Sequence, residues 1–433
     1  MSGLFQMSFI NATATGPAIL YFTNSYTVLS GTTNNPLPSI STDNKFLYTG
    51  NDTEVLCYSI DQTTGALTLS STTAQGGNVV EATTISPDNN YLYVVSAYYS
   101  GIFIFSRNIT TGVVTATNSG TPSIAGALKM TISPDGTTLY LQSTNGSYQF
   151  EAFSRDSTTG NLTSIATYAL PSTTPAGGSP ISIEVSPDNL FVYVISSTYV
   201  FQYSRSLSTG LLTALSTPYV AISGGSMSAY NYGSVKISPD GLFLYVSSPD
   251  ISQYSRSLTT GLITPLTPAY YTPFVDTNLF NIALVDLCLS PDGLNMYSYL
   301  SSYSGFLELT RDSVTGLLSS QVIASYQGYI LGTTLTVTSI ISGIVDEMQR
   351  IQTTNIVQAT AINGQTGGST GGVGTYTVSV SQTLGSATSP VTFTAYNIKS
   401  LSTLNPTYAV VSPDGTKVYG TDTSGYLQPY TRH

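Results

Sequence analysis

The sequence predicts an all-β protein, a seven-bladed β-propeller with a small inserted β subdomain. Three observations carry this reading. A phrase of the form Y/F-S-R-x-x-T-T-G-x-L-T recurs. It stands almost unchanged at Tyr203 to Thr213 (YSRSLSTGLLT) and Tyr254 to Thr264 (YSRSLTTGLIT), and more loosely from Tyr58, Phe105, Phe153 and Leu309. A second phrase, SPDN or SPDG before a short run ending in Tyr, places its aspartate at Asp43 (as STDN), Asp88, Asp135, Asp188, Asp240, Asp292 and Asp414. The third is negative: no helix-length stretch of the array repeats its apolar residues with a 3.6-residue period. The aspartates step by 45, 47, 53, 52, 52 and 122 residues, so the units are supersecondary in size and one carries an insertion.

Each unit reads as four strands, A to D. Strand A is a short alternating run such as SIEV or SVKI, stopped by Ser-Pro because proline cannot donate to the ladder. Asp-Gly or Asp-Asn then makes a tight turn that needs positive φ. Strand B is β-branched and aromatic, as in FVYVIS. Strand C ends in Y/F-S-R, and Thr-Gly turns it into strand D, where glycine supplies the left-handed conformation. Seven such units close radially around a channel. The C-terminal unit supplies A, B and C from Tyr408 to Thr431 but no D, and AILYFTN from Ala18 is expected to complete it. Arg107, Arg155, Arg205, Arg256 and Arg311 all sit in the C–D hairpin. A residue repeated once per blade is expected to pair with turn aspartates or to cap carbonyls between blades.

Composition excludes several classes. Only 8% of the 433 residues are charged, the net charge is −10 and no like-charge run occurs, which argues against a nucleic-acid footprint. No apolar run is long enough to span a bilayer. Cys57 on a C strand and Cys288 on an A strand lie five blades apart in order, and both are expected to be buried thiols. The opening MSGLFQMSFINATATG has no basic segment before an apolar core, so no standard secretory signal is expected. The Ser, Thr, Asn and Tyr-rich surface is nevertheless of extracellular type. Sequons stand at Asn11, Asn51, Asn108, Asn145 and Asn161. Together these fit a virion protein, or an extracellular or cell-surface one.

The repeated S-P-D-G…L-Y-V…Y-S-R…T-T-G-x-L-T unit resembles the seven-bladed lactonase-like propellers, the 6-phosphogluconolactonase type. The resemblance covers nearly the whole array and implies the fold. It also implies lactone hydrolysis by His, Arg and carboxylates at the channel mouth. The only histidine is His433, the last residue, and no position matches the family's catalytic residues, so none is carried over and no enzyme activity is expected. No cofactor and no metal are expected. Inside the array, GYILGTTLTVTSIISG and GGSTGGVGTYTVSVSQTLGS resemble Gly/Thr-rich β-modules of phage tail-fibre and virion proteins. The glycine-rich loop from Gly364 to Gly374 lacks the Gly-Lys-Ser/Thr of a phosphate loop.

The expected domain division is 1–323 for six blades and the closing strand, 324–396 for the insert and 397–433 for the seventh blade. The A–B and C–D turns share one uniform face. The D–A connections, with the insert among them, vary on the other and mark a binding face. Tyr98 and Tyr99 fall in a B–C loop, and Tyr219, Tyr230, Tyr232, Tyr270 and Tyr271 in D–A connections, where tyrosine suits protein or glycan contact. Counting back from the serine of SPD, positions −2 and −4 form the polar phase of strand A and face the channel. They carry Lys129, Glu184, Lys236 and Asp286 in four successive blades, expected to form a ring of ion pairs. The functional expectation is a non-enzymatic virion surface, capsid or fibre component that contacts other virion proteins or a host protein or glycan. The alternatives are a lactonase-like hydrolase and a secreted or cell-surface adhesin.

Overall fold

Seven antiparallel sheets follow one another along the chain, each ordered as the repeat predicts. Blade 1 has strands A to D at Ser39–Ile40, Phe46–Gly50, Glu54–Ile60 and Leu67–Ala74. Blade 2 has Val80–Ile85, Tyr91–Ser96, Gly101–Arg107 and Val114–Asn118. Blade 3 has Ala127–Ile132, Thr138–Ser143, Gln149–Arg155 and Leu162–Ala169. Blade 4 has Ser182–Val185, Phe191–Ile195, Tyr199–Arg205 and Leu212–Ala221. Blade 5 has Val235–Ile237, Phe243–Ser247, Ile251–Arg256 and Ile263–Tyr271. Blade 6 has Leu284–Leu289, Asn295–Leu300, Gly305–Arg311 and Leu318–Ser320. Blade 7 takes A to C from Pro406–Val411, Lys417–Asp422 and Tyr426–Arg432, and its outer strand is Leu20–Phe22 from the other end of the chain. This computed structural model describes residues 20–22, 27–28 and 36–432, less the segments 76–78, 97–100, 119–126, 144–148, 171–177, 225–232, 249, 273–283, 301–304, 321, 346–348, 358–359, 397, 401–405 and 423–425.

The tight turns have the predicted chemistry. Asn44, Asn89 and Asn189 and the glycines at 136, 241, 293 and 415 all take positive φ after the turn aspartate. The aspartate itself accepts the serine hydroxyl two residues before it, as in Ser133 to Asp135 (2.6 Å). Apolar cores lie between neighbouring blades. One joins Ile181, Phe191, Tyr193 and Val200 of blade 4 to Val235, Ile237, Leu244 and Tyr254 of blade 5.

Across the seams the repeated residues interlock. Arg256 at the end of strand C in blade 5 reaches back to blade 4. It donates to Asp188 (2.6 Å) and to the Tyr193 hydroxyl (2.9 Å), and lies over the Phe191 ring. Its other nitrogen donates to its own blade's Gly241 carbonyl (2.7 Å). Arg155 with Asp88, Arg205 with Asp135 and Arg311 with Asp240 repeat the ion pair at 2.7, 2.8 and 2.5 Å, while Arg107 stands 3.8 Å from Asp43. The B-strand tyrosine passes the contact on: Tyr193 donates to the Gly261 carbonyl in the next blade's C–D turn, and Tyr48, Tyr93, Tyr140 and Tyr245 do the same to Gly112, Gly160, Gly210 and Gly316. The arginine side chains are 0–1% exposed, so removing a carboxylate partner would strand a buried charge, at a cost of several kcal/mol.

The seam between blades 7 and 1 differs. Ile60 occupies the position of the arginine, and Asp414 accepts instead from the amide of Asn44 (2.8 Å). Lys417 takes the place of the B-strand aromatic, under the Gly65 turn.

The insert is corrected in position. It does not extend a D–A connection but interrupts strand D of blade 6. Ser320 pairs with Leu309 and Ile398 pairs with Leu307, so Leu318–Ser320 and Ile398–Ser400 are two halves of one outer strand. Residues 398–400 therefore belong to blade 6, not to the seventh blade. The other blades with a described D strand break register at the same point of strand C: one extra D residue in blades 1, 2 and 3, three in blades 4 and 5. The insert enlarges a bulge that the repeat already contains, where the outer ladder is already interrupted. It forms a five-stranded sheet of Arg350–Gln352, Val391–Tyr396, Val322–Gly343, Gly374–Leu384 and Ile362–Gly368, in that order, with its own core around Tyr326, Leu335, Tyr376 and Phe393.

Candidate functional site in the channel

The two-residue period of strand A divides its side chains. In blade 4, Ile183 and Val185 enter the core shared with blade 3, which leaves Glu184 to the channel. In blade 5, Val235 and Ile237 enter the core shared with blade 4, and Lys236 takes the channel side. Counted back from the SPD serine the channel positions fall in two layers, and the farther one coincides with a register shift of strand A in blades 3, 6 and 7. Glu184, Lys236 and Cys288 make the layer nearer the SPD turns; Lys129, Asp286 and Tyr408 make the layer farther from them.

One ion pair forms among the four charged residues. Lys236 Nζ stands 3.2 Å from Glu184 Oε2, across the seam between blades 4 and 5. The side chains keep 33% and 22% of their surface open, as expected for groups facing a channel. Burial raises the Glu184 pKa, and Lys236 opposes that shift only in part. Desolvation works against the Lys236 charge, but Glu184 and Asp286 outweigh it and the ammonium's pKa is raised. Burial pushes the Cys288 thiol well above its ordinary value, and the Asp286 charge adds to this.

The expected ring of alternating ion pairs is corrected at Lys129. Its ammonium crosses the channel from blade 3, donates to the Gly233 carbonyl of blade 5 (3.1 Å) and lies 5.4 Å from the centre of the Tyr408 ring of blade 7. Desolvation lowers its pKa; Asp286 opposes the shift and Lys236 adds to it. Asp286 is buried at the same layer, within electrostatic reach of both lysines. Alternation in the sequence reports the direction of a side chain. It does not report that a long lysine will choose a carbonyl and a ring across the lumen.

The aromatic candidates separate. Tyr219 lies in strand D of blade 4, edge-on to Tyr199 at 5.1 Å, and Tyr271 ends strand D of blade 5 with its hydroxyl on Ser320. Both pack the outer strand, which runs farther than its threonine-rich start suggests. Tyr270, also in strand D, is 44% exposed. Tyr98, Tyr99, Tyr230, Tyr232 and His433 lie outside the described residues. Sequence reasoning missed Tyr408 and Cys288 as channel residues, although both fall at positions −4 and −2 of the same count. Among the described residues no group of three or more His, Cys, Asp or Glu is placed to hold a metal ion.

Residues 38–127 match the Lactonase family, described as "Lactonase, 7-bladed beta-propeller". The chain folds as a seven-bladed β-propeller, similar over that segment to the lactonase type. Among solved structures, this propeller is similar to a Bacteroides uniformis protein assigned as a 6-phosphogluconolactonase, with 17% identity, 65% of this chain and 82% of that one covered and a TM-score of 0.51. A Lactobacillus plantarum protein gives 17% identity, 67% and 85% coverage and 0.54. Hydrazine synthase of Kuenenia stuttgartiensis gives 15% identity, 94% and 97% coverage and 0.55. At these identities the structural likeness concerns the fold. No curated protein matches the chain. The expectation that the chain is not an enzyme is corrected here, because residues 38–127 match a family described as a lactonase. The same match favours the lactonase-like alternative over the virion role.

Proposed function

We propose that this lactonase-like propeller is a hydrolase that opens a cyclic ester in its channel. The observation that carries the reading is the Glu184–Lys236 pair, a carboxylate with a raised pKa beside an ammonium, on channel-facing strands of two adjacent blades. Perturbed groups of this kind concentrate at functional sites. In the proposed step Glu184 takes a proton from water as the oxygen attacks the lactone carbonyl. Lys236 faces the oxyanion of the tetrahedral intermediate. The ring C–O bond then breaks, and the departing alkoxide takes the proton back from Glu184, leaving a hydroxy acid. A raised carboxyl pKa makes glutamate a better base once ionised, and such groups contribute roughly 10²- to 10⁴-fold.

Charge bears on the substrate. Lys129 and Lys236 balance Glu184 and Asp286, and the chain carries a net −10, so the channel offers no surplus cation to a phosphate. An uncharged lactone is favoured over a phosphorylated one. The test is pH-stat hydrolysis of glucono-δ-lactone and 6-phosphogluconolactone by the purified protein. The expected result is turnover above the buffer rate, faster on the uncharged ester, and reduced about 100-fold in Glu184→Gln. The rate should rise with pH through an apparent pKa above the ordinary glutamate value of about 4.3, since the base acts ionised. Buffer-level rates on both esters, or a Glu184→Gln rate equal to wild type, would overturn the proposal.

A further inference from the structure

Among the described channel side chains, Lys129 alone is seen to touch blades on the far side of the lumen. Its ammonium is held by a carbonyl of blade 5 and a ring face of blade 7, with Asp286 of blade 6 in its field. The stem that carries it must therefore lie across the opening. The layer it crosses stands farther from the SPD turns than Glu184, Lys236 and Cys288, on the side of the D–A connections. A second strand of chain narrows the same lumen: Leu37 pairs in parallel with Ala82 on the free inner edge of blade 2, its N–H donating to the Glu81 carbonyl (2.9 Å). With that flank filled, the lysine spans a reduced gap.

We propose that Lys129 is a swinging bar that closes the channel on the D–A side of the Glu184–Lys236 pair, and that small solutes pass to the pair from that side only when the bar leaves its seat on Gly233 and Tyr408. The seat suits a reversible closure. A single hydrogen bond to a neutral carbonyl and a ring contact hold an ammonium more weakly than a carboxylate partner would. The inference stands on the channel geometry and does not depend on the chemistry proposed for the pair.

The sequence supplies its own probe. Cys288 shares the layer of Glu184 and Lys236, while Cys57 is buried in blade 1 and 1% exposed. Both are free thiols, so iodoacetamide followed by peptide mass analysis reads access to the channel and integrity of the fold in one sample. In Lys129→Ala the alkylation of Cys288 should accelerate roughly tenfold or more while Cys57 stays unreactive, and Lys129→Arg should behave as wild type. Loss of a nearby cation disfavours the thiolate, so acceleration cannot come from the charge change. Lys129→Gln, too short to reach the seat, is the second opening variant should the alanine variant not fold. Equal Cys288 rates in wild type and an opened variant would overturn the inference. So would Cys57 and Cys288 accelerating together, which reads as loosening of the ring.

Discussion

Gly261 shows how one atom fixes a seam. Its φ is +72°, and a Cβ built there would lie 2.1 Å from the Phe191 ring of the preceding blade. Gly332 in the insert also has a positive φ, +63°, but nothing stands within 4 Å of the same point. Both positions strain an L side chain, and only the first also clashes. Gly261→Ala should therefore cost well over 1 kcal/mol in urea unfolding, and Gly332→Ala markedly less. Equal shifts in midpoint would show that the seam yields and that packing against Phe191 is not the constraint. The need for glycine was legible in the T-T-G phrase. The reason was only half legible, because the clashing ring belongs to a residue seventy positions earlier. The same holds for the B-strand tyrosine. The sequence displays it in each blade, yet its acceptor lies 64 to 71 residues on in five of the seams. Burial in those seams raises the phenols, Tyr93, Tyr140 and Tyr193 each to about 12.

Strand D is the element in which sequence and structure part company most. Its start is plain from L-x-T, but its course past the bulge is not, so the sequence places Tyr219, Tyr270 and Tyr271 in connections and not in strand D. In blade 6 only Leu318–Ser320 precedes the break, and a Thr- and Gly-rich insert has strand-like composition from its first residue. Nothing in such a stretch marks the point where one sheet ends and another begins. Gln202 and Gln253 show how the bulge is tolerated. Each amide bridges its own strand D, at the Thr217 and Pro268 carbonyls, and accepts from a backbone N–H of the next blade. Deleting residues 322–397 leaves one residue between the halves of the outer strand, opposite the single residue Glu308 between their partners Leu309 and Leu307, so the halves join in register with no extra residue. The shortened chain should keep its β-type circular dichroism and a cooperative melt, because the insert core is separate from the blade cores. Aggregation of that chain under conditions where the full chain is soluble would show that blade 6 depends on its insert.

For the whole ring, seven blades could be read from the phrases, and closure by the N-terminal strand from the missing D. The site was less legible, since period-two alternation assigns Lys129, Glu184, Lys236 and Asp286 to the lumen without saying which meet. Acid tests the seams together. Burial would raise the turn aspartates, but serine and arginine hydrogen bonds outweigh it, holding Asp88, Asp188 and Asp240 below their ordinary value and Asp135 at about 2. A lowered folded-state pKa gives stability that is present above the unfolded value of about 3.9 and lost as pH falls through the folded one. The melting temperature should drop steeply between about pH 4 and pH 2, with a shallower slope in Asp135→Asn. A flat profile would mean that the seams do not draw on these charges. Glu184, raised instead, acts with the opposite sign: its contribution is present at low pH and lost as pH climbs through its folded value. The described arginine contacts also have a direction, each blade grasping its predecessor. Head-to-tail contacts of one kind have no inherent end; a chain of them can add members or link molecules into open arrays. Blade 7 meets its neighbour with Lys417 where five other B strands offer an aromatic or a threonine, and blade 1 brings Ile60 instead of an arginine. An arginine-bearing eighth unit, or a blade exchanged from another molecule, would meet like charge at that position. The odd seam is thus the one described place in the ring where an incoming arginine would meet a lysine stem in place of a ring face or a threonine.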